Sequence, residues 1–66
     1  MKITLNGYQK DITPQASLKD IIGRFYKDSN HVIAELNGTI IKNHEWAKAT
    51  IQEGDTLELV NFVAGG

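Results

Sequence analysis

At 66 residues the chain is sized for a single domain, residues 1–66, near the lower limit at which one apolar core holds without staples, and it is too small to enclose a deep catalytic pocket. It contains no cysteine, which excludes disulfides, Cys-built zinc or iron–sulfur sites and a thiol nucleophile, and a formal net charge of −1 without a basic stripe argues against nucleic-acid binding. Its apolar runs are short and Met1-Lys2 leads straight into a strand pattern, so neither a membrane span nor a signal peptide is expected and the chain reads as cytoplasmic.

Met1, Ile3 and Leu5 alternate with Lys2 and Thr4 before Asn6-Gly7, a strong short hairpin signal, and Tyr8, Lys10 and Ile12 continue as a second strand. Thr13-Pro14-Gln15 breaks the pattern. Ser17 with Asp20 three residues later has the form of a capping box, so a helix is expected to start there. Leu18, Ile21, Ile22 and Phe25 then fall on one helical stripe, with Lys19, Asp20, Arg24 and Lys27 opposite. Gly23, unfavourable inside a helix, is expected to let the helix lie close against a sheet.

Asp28-Ser29-Asn30 ends the helix, Val32 to Leu36 is rich in strand formers, and Asn37-Gly38 turns the chain back into Thr39-Ile40-Ile41. Lys42 to Thr50 has no clean period, and Trp46 is expected to anchor it at the core edge. Gln52 to Asp55 is a turn, and Thr56 to Val63 is the last strand. Two hairpins, one helix after the first of them, and a final strand imply an α+β fold: a mixed sheet with the helix on one face. A right-handed crossover then puts the last strand in the middle, parallel to the first, which is the β-grasp or ubiquitin-like arrangement.

The chain closes on Val63-Ala64-Gly65-Gly66. A Gly-Gly tail lacks Cβ atoms, so it is expected to be flexible over 63–66, to leave a terminal carbonyl unshielded and to thread a channel too narrow for other residues. A frayed terminus would look the same in isolation. With Ala34-Glu35-Leu36-Asn37-Gly38 at the second hairpin, Trp46 after Ile40-Ile41, and Gly54-Asp55 before the last strand, the whole chain resembles the ubiquitin-like sulfur carriers of the ThiS family of thiamine biosynthesis. It departs from many members in having Lys42-Asn43 where they carry a Pro-basic pair.

The resemblance implies a protein co-substrate without catalytic side chains or a bound cofactor. The Gly66 carboxylate would be adenylated by an E1-like (ThiF-like) enzyme using ATP. It would then become a thiocarboxylate at the expense of a persulfide donor and deliver sulfur to a thiazole synthase (ThiG-like). Val63, Ala64 and Gly65 would be the threading tail. The same fold and tail also suit a molybdopterin-synthase small subunit, another ubiquitin-like sulfur carrier or a modifier, and a plain interaction domain is the alternative of a different class.

Strand alternation assigns Leu57, Leu59, Asn61 and Val63 to one face and Thr56, Glu58, Val60 and Phe62 to the other. If the leucines face the helix, Val60 and Phe62 emerge on the open sheet face just before the tail and are the expected partner-docking residues. A bulge that turned Phe62 inward would remove half of that site. His31 and His44 lie in or beside turns without Cys or His-x-x-x-His company, so neither a metal nor a catalytic role is expected of them.

Overall fold

The computed structural model describes residues 1–62. Two hairpins are built on the same turn chemistry. Strands β1 (Lys2–Leu5) and β2 (Tyr8–Asp11) pair with Leu5 opposite Tyr8. Strands β3 (Val32–Leu36) and β4 (Thr39–Ile41) pair with Leu36 opposite Thr39. In both two-residue loops each central residue has positive φ: 50° and 87° at Asn6-Gly7, 51° and 86° at Asn37-Gly38. That is the type I′ turn whose twist matches the strands, and Asn and Gly are the residues that tolerate it.

Helix α1 (Leu18–Phe25) starts on the expected capping box. The Ser17 hydroxyl accepts from the Asp20 backbone N–H at 3.0 Å, and the Asp20 carboxylate accepts from the Ser17 N–H at 3.2 Å. The first two helical N–H groups, of Leu18 and Lys19, donate to the carbonyls of Ala49 and Trp46, so the otherwise irregular segment after β4 satisfies the start of the helix. A single 3-10 turn at Asn43–Glu45 precedes Trp46, which is buried and donates its indole N–H to the Ile41 carbonyl at 2.9 Å. That contact makes Trp46 the anchor expected of it.

The last strand, β5 (Thr56–Asn61), lies at the centre of the sheet in the order β2-β1-β5-β3-β4, parallel to β1 and antiparallel to β3. The β-grasp topology is thus the one expected. Ile3, Leu18, Ile21, Ile22, Ile51 and Leu57 are the largest fully buried side chains, packed between one face of the sheet and the helix.

Three details differ from the sequence reading. Phe25, assigned to the buried stripe, is 42% exposed, with the Lys10 ammonium 5.4 Å from its ring centroid. An eight-residue helix buries only two turns, and Phe25 falls at its end, where the chain leaves the sheet. Gly23 does not mark a close approach to the sheet, because a Cβ there would meet nothing within 4 Å. The last strand ends at Asn61, although the Phe62 N–H still donates to the His31 carbonyl at 3.0 Å; Val63 and the flexible tail expected over 63–66 lie outside the described residues.

Candidate functional site

The central position of β5 decides what the sheet shows on its far side. Leu57 and Leu59 are buried beneath the helix, so alternation turns Glu58, Val60 and Phe62 outward. Val60 is 57% and Phe62 45% exposed. No bulge interrupts the register from Val32↔Asn61 to Leu36↔Leu57, and the alternation therefore carries unbroken to the strand's end. Both candidate docking residues stand where they were expected.

The sheet adds two more residues to this face. Ile33 lies directly opposite Val60, and Ile40 lies opposite Glu35, two residues along β3 from Ile33. They are 43% and 63% exposed, so Ile33, Ile40, Val60 and Phe62 form one apolar surface, bordered by Glu35 and Glu58. The signal for Ile33 was present in the outward half of the Val32–Leu36 alternation. Ile40 needed the hairpin register. Phe62 is steadied from one side by the His31 ring, edge-on at 5.5 Å between centroids and 66° between planes.

Backbone ties hold β5 in place just upstream. The Asn37 side chain accepts from the Thr56 N–H at 2.9 Å and donates to Asp55 Oδ1 at 3.0 Å. The Asn6 side chain accepts from the Leu59 N–H at 2.8 Å, beyond the point where β1 turns away. Gly54, at φ 86°, lets its N–H reach the Lys2 carbonyl, and Asp55 closes the turn by accepting from the Gln52 N–H at 2.8 Å. The strand that leads to the tail is thus fixed on both sides by turn residues.

The histidines are used apart: His31 packs on Phe62, and His44 lies in the 3-10 turn beside α1. Among the described residues no group of three or more His, Cys, Asp or Glu could hold a metal ion. No helix among them is long and apolar enough to cross a membrane. Gly66, the candidate modification site, and the tail residues Val63, Ala64 and Gly65 lie outside the described residues.

The family model for the ThiS family matches residues 3–66. The chain belongs to the ThiS family. These are the ubiquitin-like sulfur carriers that its second hairpin, Gly54-Asp55 and the closing glycines resemble. Over all 66 residues the ThiS-family chain is 30% identical to a thiazole synthase from Paramagnetospirillum magneticum, of which it spans only 20%. It is 31% identical over 62 residues, 94% of its own length and 85% of the other, to the uncharacterized protein ycf40 of Trieres chinensis. Its fold matches a crystal structure of the thiamine biosynthesis protein ThiS from Geobacter metallireducens at a TM-score of 0.85, with 23% identity and full coverage of both chains. An NMR solution structure of a thiamine biosynthesis protein from the same organism matches at 0.82, with 25% identity, covering all of this chain and 88% of the other.

Proposed function

We propose that this chain carries sulfur for thiazole formation in thiamine biosynthesis, with the Gly66 carboxylate as the group that is activated and thiolated. The observation that carries the reading is the family match, which extends through Gly65-Gly66. A carboxylate at neutral pH resists nucleophilic attack, because the attacking electrons add charge to a group already negative. Transfer of an adenylyl group from ATP to the carboxylate oxygen, with pyrophosphate leaving, removes that charge and installs a good leaving group. The terminal sulfur of a protein persulfide then attacks the acyl carbon and expels AMP. A second thiol cleaves the resulting acyl disulfide, releasing the thiocarboxylate and forming a disulfide on the donor side.

This chemistry asks no side chain of the carrier to act as acid, base or nucleophile. It asks for a tail presented beside a surface that partners can grip. Ile33 on β3, Ile40 on β4, and Val60 and Phe62 at the end of the strand that leads to the tail supply such a surface. The partners of this reading are an E1-like adenylating enzyme, a persulfide donor and a thiazole synthase. The last is supported by the chain's similarity to one fifth of a protein named thiazole synthase from Paramagnetospirillum magneticum.

The test is intact-mass spectrometry of the chain after incubation with ATP, an E1-like enzyme and a persulfide donor, followed by fragmentation. Exchange of oxygen for sulfur adds nearly the same mass as oxidation of Met1, so the gain must map to the C-terminal fragment and be absent from a Gly66 deletion. An ATP-dependent gain at Gly66 is expected. No gain with an activating enzyme that thiolates its own carrier would leave an interaction domain as the better reading. Delivery to a molybdopterin synthase instead of a thiazole synthase would reassign the acceptor.

A further inference from the structure

On the helix side of the molecule, well away from the open sheet face, a groove of about 520 Å³ runs between α1 and the 3-10 turn. Such a volume is within the range of small-molecule sites, roughly 300–1,000 Å³. Lys19, Lys27 and His44 line it together with Ser29 and Asn43, and no Asp or Glu does. In a chain of net charge −1 this is a local excess of donors and cations. Among the described residues the ion pair is Lys2–Asp11 at 3.1 Å, so neither Lys19 nor Lys27 is neutralised by a carboxylate in direct contact.

The floor explains a residue that packing does not. Gly23 lines the groove, and a Cβ there would meet nothing within 4 Å, so the sheet does not demand a glycine. A longer side chain would instead occupy the groove. Ile22, Tyr26, Trp46 and Ala47 supply the apolar part of the lining.

We propose that this groove binds a small phosphate monoester with a flat apolar body, the phosphate among Lys19, Lys27 and His44 and the body laid over Gly23 against Tyr26 and Ala47. A phosphate monoester has close to two negative charges and three strong acceptor oxygens, and it suits a groove lined by several donors better than a carboxylate does. The site shares no residue with the apolar sheet face, and a ligand held there would leave that face free.

Titration of the ¹⁵N-labelled 66-residue chain with benzyl phosphate, followed by amide shifts at constant ionic strength, tests the proposal. Saturable shifts are expected at Ile22, Gly23, Lys27, Asn43 and His44 and at the Trp46 indole. Inorganic phosphate should bind at least about tenfold more weakly, and benzyl alcohol not at all. The Lys19→Gln/Lys27→Gln double variant should also lose about tenfold or more in affinity. Gly23→Leu, which fills the groove at unchanged charge, should abolish binding with the spectrum of the sheet intact. Shifts that never saturate, that scatter over all the lysines, or that persist in Gly23→Leu overturn the proposal. Tighter binding of a phosphoserine peptide than of benzyl phosphate would also overturn it, assigning the groove to a protein partner.

Discussion

Asn37 shows how much one side chain can do in so small a domain. It adopts the left-handed backbone that the hairpin needs, and its amide accepts from Thr56 and donates to Asp55 across the start of the central strand. Asn37→Ala should destabilise the fold by about 1–3 kcal/mol, through the positive φ and the lost hydrogen bonds together. Asn37→Gly keeps the turn and loses only the bonds, so denaturant melts should place it between the two. Gly23 is the opposite case, a glycine in ordinary helical backbone with open space around it. Gly23→Ala should raise stability by about 0.5–1 kcal/mol, read as a higher melting midpoint. The Asn-Gly turns were legible from residue types. The second role of each Asn was not, because Thr56 and Leu59 are far away in sequence and only the sheet brings them near.

At the scale of elements, α1 depends on its ends more than on its length. Eight residues are too few to be stable alone, so its cap, its ties to Trp46 and Ala49, and its buried stripe must hold it. The Ser17 backbone N–H holds the Asp20 carboxyl below its ordinary range, helped by the Ser17 hydroxyl and opposed by desolvation, with the charges of Arg24 and Lys19 adding lesser downward pulls. A lowered folded value means that Asp20 adds stability that is complete above the unfolded value, about 3.9, and lost as pH falls through the folded one. The difference in melting temperature between the native chain and Asp20→Asn should therefore be constant near neutrality and shrink below about pH 4. Capping box and stripe were readable from spacing. Exposure of Phe25 was not, since periodicity assigns a face but not how far the sheet beneath it extends.

For the molecule as a whole, the two faces of the sheet are covered unequally. The helix covers one, and the other leaves Ile33, Ile40, Val60 and Phe62 in solvent. Phe62→Ala and Val60→Ser should each cost about 1 kcal/mol of stability or less, through the His31 contact and the cross-strand pair with Ile33, and leave the domain folded. The same changes should weaken binding to an E1-like enzyme or a thiazole synthase by about tenfold or more, measured by calorimetry, because exposed aromatic and aliphatic anchors dominate such contacts. Unchanged affinity for both partners would move the docking surface elsewhere. Leu57→Ala, by contrast, should cost about 2–5 kcal/mol and leave little of a 66-residue domain folded.

Local chemistry was enough to determine the two Asn-Gly hairpins, the capped helix, the buried role of Trp46 and the outward direction of Val60 and Phe62. Each depends on backbone preference or on a period read over a few residues. The closing glycines belonged to the sequence too, as did the family they indicate. Only the tertiary structure decided that Ile33 and Ile40 join Val60 and Phe62, that two turn asparagines hold the central strand, and that Gly23 opens a groove instead of closing on the sheet. These depend on which strands become neighbours and how far each extends, and neighbours distant along the chain are chosen by the packing of the whole core.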